Sequence, residues 1–253
     1  MNRRSWLAGV GAGLGSIWLG GCDAIANSSA VRKTIRSAEG LNQAAQRLII
    51  GRRALAPEYD KADISPDFRA NGTTNPSDGA YQTSAAGGFA DWRLVVDGLV
   101  ERPMALTLDQ VRALPARTQI TRHDCVEGWS SIGEWTGARL GPLLERAGLK
   151  PNARYVVFHC ADALGQGAGR SLYYESIDLT DAFHEQTILA YLMNGQALPV
   201  QHGAPLRLRV ERQLGYKHAK YVRRIEAVES FADIHYGKGG YWEDRGYEWY
   251  AGI

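Results

Sequence analysis

His123-Asp124-Cys125-Val126-Glu127-Gly128-Trp129-Ser130 sets one cysteine among polar and small residues, with Arg122 just upstream and Glu134-Trp135-Thr136-Gly137 a few positions on. A thiolate is a soft, strongly donating ligand for a transition metal, and cationic neighbours such as Arg122 and His123 favour the deprotonated form. On this segment alone Cys125 can be a metal ligand, a nucleophile paired with His123, half of a disulfide or a buried small hydrophobe. Gln119–His123 reads as a strand that delivers Cys125 at its end, a common place for binding residues on a rigid scaffold. A short helix is expected soon after Gly137.

Length and composition narrow the class. The chain has 253 residues, enough for one large domain or two small ones with a real core. Its 45% apolar content is ordinary, and 29 glycines suggest many turns. A net charge of +2 gives no reason to expect nucleic acid. Three cysteines are too few for a disulfide scaffold, and no haem-attachment, zinc-ribbon or phosphate-loop motif occurs.

Residues 1–22 read as an export signal: Arg3-Arg4, then Ser5-Trp6-Leu7, then a Gly/Ala/Leu-rich run. The paired arginines point to the twin-arginine route, which carries folded proteins. Leu19-Gly20-Gly21-Cys22 resembles a bacterial lipobox, so Cys22 is expected to carry a lipid anchor in the periplasm. Residues 23–56, with Val31, Ile35, Leu41, Ala45, Leu48 and Ile49 loosely periodic, are expected to form a helical tether. The catalytic domain is then 57–253.

Within it, 57–90 is loop-like, and Phe68, Arg69 and Asn71 gather an aromatic, a guanidinium and an amide suited to an anionic or heterocyclic ligand. The alternative is a turn with Phe68 packed inward. Trp92–Val100 reads as strand, turn and short strand. Leu106–Leu114 reads as a helix with Thr107 as N-cap and Pro115 as its stop. Tyr155–His159 is a buried strand ending at Cys160, Thr180–Leu192 a helix, and Leu206, Leu208 and Val210 alternate with Arg207 and Arg209 as in a half-buried strand.

Three blocks together resemble the sulfite oxidase superfamily of molybdopterin-dependent oxidoreductases, and most nearly its exported bacterial branch that includes methionine sulfoxide reductase catalytic subunits. They are Cys125–Ser130 with Trp135-Thr136-Gly137, Met193–Pro199 with His202–Arg207, and Gly215–Val222. The resemblance implies an α+β fold, a molybdopterin-binding domain of mixed sheets with flanking helices. It implies molybdenum with one pyranopterin dithiolene, Cys125 being the protein's thiolate ligand to the metal. His202, Arg207, Lys217, His218, Ala219 and Lys220 match cofactor-contacting positions, and Phe68, Arg69 and Asn71 match a segment lining the pterin. Cys160 matches another contact position. Two residues depart from the branch: His202 stands where it carries asparagine and Cys160 where it carries threonine.

Tyr173, with Tyr174 second, matches the tyrosine that faces the metal-bound oxygen in sulfite oxidases. The aromatic tail 237–250 is expected to pack back onto the fold rather than wall the pocket. The implied activity is two-electron oxygen-atom transfer on a small-molecule substrate, with reduction of an S-oxide or N-oxide first and oxidation of sulfite or another small sulfur compound second. Electrons would pass through a separate partner, quinone-linked in the membrane or cytochrome c-like. With no dimerisation domain of the sulfite oxidase kind, a monomer is expected. Two other classes stay open: a non-catalytic cofactor-binding or assembly protein, and a hydrolase using Cys125 with His123.

Overall fold

The computed structural model describes Ser28, residues 40–49, Gly51, residues 53–165 and residues 171–253. The expected export signal, Cys22, most of the tether's first half and the end of the loop leading to Arg170 lie outside the described residues. The chain divides into two compact units, Met1–Gly51 and Arg52–Ile253. In the first, α1 spans 40–49. The division falls before residue 56 because Gln186 holds the following segment, its side chain accepting from Ala56 N at 2.8 Å and donating to Ala56 O at 3.1 Å. No described helix is long and apolar enough to cross a membrane.

The second unit is α+β. Its helices are α2 (Gly79–Ala86), α3 (Leu108–Arg112), α4 (Leu140–Ala147) and α5 (Leu179–Ala182). Its strands are β1 (Arg93–Gly98), β2 (Met104–Thr107), β3 (Ala116–Asp124), β4 (Ser130–Arg139), β5 (Tyr155–Leu164), β6 (Ser171–Asp178), β7 (Thr187–Met193), β8 (Gln196–Ala197), β9 (Arg207–Val210) and β10 (Val222–Val228). One sheet runs β2-β1-β10-β5-β6 and the other β3-β4-β7-β8, with β9 on β7. The first is mixed, since β1 and β10 are parallel while its other pairs are antiparallel.

Local sequence explains several of these elements. Leu140, Leu143, Leu144 and Ala147 recur at helical spacing and are the buried face of α4, which Gly148 ends in a left-handed conformation. Thr107 caps α3 through a capping box: its hydroxyl accepts from Gln110 N at 3.1 Å and Gln110 Oε1 accepts from Thr107 N at 2.9 Å. The helix is shorter than expected, because Leu106 belongs to β2, where it pairs with Leu94.

Two expectations are corrected. Thr180–Leu192 is not one helix. It begins with α5 and continues as β7, whose seven residues pair with β4 on one side and with β8 and β9 on the other. An apolar run with both faces covered carries no period of two or 3.6, so its pairing partners decide its type. β9 is not half-buried either: Arg207, Leu208, Arg209 and Val210 are all buried.

β3 and β4 pair from Ala116↔Ala138 to Asp124↔Ser130, which makes residues 125–129 the loop between them. Cys125 N donates to Trp129 O at 2.9 Å and Gly128 N to Cys125 O at 3.0 Å, closing that loop tightly. Behind it, Trp135 of β4 is fully buried with Phe68, Ile188, Ala190, Met193 and Leu198.

β4 and β7 approach closely at Gly137, where a Cβ would lie 2.4 Å from Leu189 O and 2.6 Å from Ala190 Cα. Gly137→Val is therefore expected to lower unfolding free energy by about 3 kcal/mol, the upper part of the usual range for overpacking. Urea denaturation of the two proteins measures it.

Candidate cofactor and substrate site

Cys125 sits at a loop tip because β3 and β4 stop pairing one residue before it, and its thiol lines a cavity of about 140 Å³. The same cavity meets Asn71, Thr73, Asp162, Tyr173 and Lys220. Burial raises the Cys125 thiol pKa, Glu127 adds to that rise, and Arg69 and the nearby amides of Glu127 and Val126 work against it. The expected help from Arg122 and His123 is not what the structure shows. Arg122 pairs with Asp124 at 2.8 Å on the surface. His123 is buried, and burial followed by the charges of Arg209 and Arg207 drives it well below the usual histidine range, so it is neutral. Arg69, stacked over Trp129 at 5.5 Å, is the cation that favours the thiolate.

Cys160 lies away from the cavity lining. It is fully buried in the core on β5, paired with Val222, and is not among the residues lining the cavity. Cys125 and Cys160 are both free thiols, so no disulfide joins them.

β9 brings two guanidiniums into the interior. Arg209 is held by Glu211 through Nε to Oε1 at 2.8 Å and Nη2 to Oε2 at 2.6 Å. Its Nη1 lies 3.0 Å from His123 Nδ1. A guanidinium can only donate, so Nδ1 is the acceptor and the His123 proton resides on Nε2. His218 Nε2 faces Gln213 O at 3.0 Å, which places that proton on Nε2 and leaves Nδ1 as an acceptor. Arg207 uses Nη1 on His202 O at 3.0 Å. Both guanidiniums lie over Trp135, at 4.8 Å for Arg207 and 4.4 Å for Arg209. Burial, then Arg209, pushes Arg207 down to about 9. Burial, then Arg207 and Lys220, pushes His202 down to about 4, and its ring stands edge-on to Phe68 at 5.7 Å.

These residues leave a set of buried polar atoms without a partner among the described residues. Arg207 Nε and Nη2, His123 Nε2 and Trp135 Nε1 are donors, while His218 Nδ1 and Asp162 Oδ1 are acceptors. Native interiors rarely leave such groups unmatched. Uncompensated donors that include a guanidinium suit an anionic group, and the acceptors suit heterocyclic N–H donors. A phosphate-bearing pterin combines both, so the residues fit the expected cofactor, and Cys125 offers the sulfur for its metal.

The other expected residues divide. Phe68 is buried against His123, Trp135 and His202, whereas Arg69 is exposed. Ala219 is fully buried, its carbonyl accepting from Leu208 N at 2.8 Å. Lys220 donates from Nζ to Asn71 O at 2.6 Å, to Gln201 O at 3.0 Å and to Thr73 O, which ties the early loop to the cavity. Lys217 has its fully buried ammonium engaged by Glu175 and Glu243. Tyr173 lines the cavity and donates to Tyr216 O at 2.5 Å, while Tyr174 donates to Asp244 at 2.6 Å and does not line it.

Sequence reasoning missed His123 as a polar contact, Asp162 as an acceptor and the Arg209–Glu211 pair. Charged residues at alternate positions of an otherwise apolar strand were the available signal. The tail is also corrected: Trp242 and Tyr247 wall the cavity, while Tyr241 stacks on Tyr173 at 5.5 Å.

Lys220→Met removes the donor shared by Asn71, Thr73 and Gln201. Amide exchange across 71–75 is expected to quicken by about tenfold or more, since hydrogen bonds from a charged donor are worth roughly 1.5–3 kcal/mol. Peptide-resolved hydrogen–deuterium exchange measures it.

The chain matches the oxidoreductase molybdopterin binding domain family over residues 82–236, a span that includes Cys125, Tyr173, Arg207 and Lys220. It is similar to an Azospira oryzae protein named for a protein-methionine-sulfoxide reductase subunit, YedZ1, at 38% identity over 234 residues, covering 92% of this chain and 81% of that protein. The protein-methionine-sulfoxide reductase catalytic subunit MsrP of Xanthomonas campestris pv. campestris is 37% identical over 152 residues, which are 57% of this chain and 47% of that protein. The chain thus spans about half the length of that relative. The crystal structure of the sulfane dehydrogenase SoxCD from Paracoccus pantotrophus aligns at 27% identity with a TM-score of 0.47, over 56% of this chain and 39% of that one. With the match covering more than half of its length, the chain belongs to the oxidoreductase molybdopterin-binding family and is a molybdenum-dependent oxidoreductase of the sulfite oxidase type.

Proposed function

We propose that this protein reduces the S-oxide of a thioether, R₂SO + 2 e⁻ + 2 H⁺ → R₂S + H₂O. The observation that carries this is the character of the wall around Cys125. It is built from Val126, Leu164, Tyr173, Trp242 and Tyr247, no arginine lines it among the described residues, Glu127 and Asp162 add carboxyl groups, and its Lys220 ammonium is engaged by the carbonyls of Asn71, Thr73 and Gln201. Such a wall suits a neutral S-oxide with apolar substituents, and its carboxylates oppose an anion such as sulfite. The names of the relatives from Azospira oryzae and Xanthomonas campestris support the same reading.

The cofactor, one molybdenum with one pyranopterin dithiolene, supplies two-electron oxygen-atom transfer when bound. Cys125 would ligate the metal. Arg207, His123, His218 and Asp162 would satisfy the pterin and its phosphate through the atoms left open for them. Tyr173 keeps its phenol protonated, because burial and then the neighbouring Glu175 hold its pKa well above the usual range. Its proton is committed to Tyr216 O, so the ring orients substrate as a rigid neutral surface rather than acting as a base. Trp242 and Tyr247 narrow the cavity.

The reducing equivalents are proposed to come from a separate partner, quinone-linked or cytochrome c-like. Arg3-Arg4 and Leu19–Cys22 support export by the twin-arginine route and lipidation at Cys22, with residues 23–56 as tether and the periplasm as the working compartment.

Two measurements test the assignment. Purified holoprotein is expected to oxidise a reduced viologen dye in the presence of a dialkyl sulfoxide, with kcat/KM at least a hundredfold above that for sulfite with ferricyanide, and Cys125→Ser is expected to abolish turnover. Sulfite oxidation of equal or greater kcat/KM would overturn it. Separately, Arg207→Met and His123→Leu are each expected to lower the pterin released per chain about tenfold, read by fluorescence after denaturation. His123→Gln is expected to retain most of it, because an amide N–H replaces Nε2–H.

A further inference from the structure

Behind the cavity wall lies an ion cluster that the unpartnered cofactor set does not include. The side chains of Lys217, Glu175 and Glu243 have no solvent exposure. Lys217 Nζ donates to Glu175 Oε1 at 2.5 Å and to Glu243 Oε1 at 2.6 Å, and Ser176 N donates to Glu175 Oε1 at 2.8 Å. The second oxygen of each carboxyl has no donor among the described residues. The two carboxyls nevertheless meet at one point, both on the Lys217 ammonium. They converge beside Gly240, where a Cβ would lie 2.0 Å from Glu243 Oε2 and 2.7 Å from Glu175 Oε1, so only glycine fits there.

One ammonium therefore faces two carboxyls in a site sealed from bulk solvent. Ionising both would leave an uncompensated buried negative charge, which is strongly unfavourable. Retaining one proton makes the cluster neutral and lets one carboxyl donate to the other. Lys217 is the cation paired with both carboxyls, while Arg245, two residues beyond Glu243, lies 3.5 Å over the Tyr241 ring and donates to Tyr241 O. Tyr173, Tyr174 and Cys160 also feel Glu175, and each is pushed towards its neutral form, while Asp244 beside Tyr174 is itself acidic. Burial, then Glu243, holds the Glu175 carboxyl well above the usual range, in the same sense.

Each member of the cluster adjoins the wall in sequence. Glu175 is two residues beyond Tyr173 on β6. Lys217 follows Tyr216, whose carbonyl accepts from Tyr173. Glu243 follows Trp242, and Tyr241 stacks on Tyr173. Three segments distant in the chain are thus pinned at one buried point.

We propose that Glu175 and Glu243 share a single proton beside the Lys217 ammonium, and that this neutral trio is a positioning site that fixes Tyr173, Tyr216 and Trp242 as the wall against which substrate packs. Its positioning role rests on the substrate cavity described above, whereas the shared proton does not depend on which substrate is turned over.

Infrared spectra of the holoprotein in D₂O at pH 7 test the proton directly. The parent is expected to show a protonated-carboxyl C=O band that disappears in both Glu175→Gln and Glu243→Gln. Each single variant should stay folded, because the amide N–H donates to the remaining carboxylate as the acid did. Absence of the band in the parent, or its persistence in both variants, would overturn the shared proton. For positioning, Glu243→Ala is expected to raise KM about tenfold with kcat and pterin content within threefold of the parent, and Glu243→Gln to restore KM. An unchanged KM in Glu243→Ala would overturn it. Should Glu243→Ala not fold, Glu175→Ala serves the same comparison, and near-ultraviolet circular dichroism reports the loosened aromatic wall without substrate. If the S-oxide assignment fails, the parent shows no S-oxide turnover while the infrared band remains, which separates the two outcomes.

Discussion

Two guanidiniums buried side by side are the constraint around which this domain is arranged. Arg207 and Arg209 are within 1% of full burial on a four-residue strand, and Glu211 compensates only Arg209. Burying an unpaired cation is costly unless hydrogen bonds and a counter-charge meet it. The protein supplies part of that: the ring of Trp135 beneath both cations and one carbonyl from His202. Arg207 Nε and Nη2 have no partner among the described residues. The second sheet, with β7 at its centre and β9 beside it, exists to hold these charges where solvent cannot reach them.

From that constraint the hydrogen-bond polarity of the pocket follows. Glu211 orients Arg209, Arg209 fixes the tautomer of His123, and Nε2–H becomes a donor two residues before Cys125. The residues nearest the expected metal ligand are therefore not thiolate-promoting cations. They form a neutral recognition surface, and the work of favouring the thiolate falls to Arg69 and to the amides of the 125–129 loop. A buried N–H donor and a thiol are thus delivered by nearby positions on one hairpin, with different physical causes.

The substrate side obeys a different logic. Its wall is aromatic and is assembled from β6, the turn at Gly215–Lys217 and the tail beyond Gly240. The family match ends at residue 236, so Trp242 and Tyr247 lie outside it. The cavity thus joins residues of the matched span, such as Cys125 and Tyr173, to two aromatics of the tail beyond it. The interaction that joins them is the buried cluster of Lys217 with Glu175 and Glu243.

Much of this was legible in the residues. The strand at Gln119–His123 that ends before Cys125, Thr107 as a helix N-cap and a short helix after Gly137 follow from local pattern or motif. Local sequence determines these because each depends on residues a few positions apart. What it could not determine was partner choice between distant segments. β7 was indistinguishable from a helix until β4 and β9 flanked it. Cys160 and Lys217 looked like cofactor residues beside Ala219 and Lys220, yet one is sealed in the core and the other is taken by carboxyls 42 and 26 residues away. Lys217 and Lys220 have the same chemistry three positions apart, but the turn between them sends one ammonium into an ion cluster and the other to the carbonyls of Asn71 and Thr73. The tertiary structure alone decided that, because the energy of a buried charge is set by the groups brought around it and not by its neighbours in the chain.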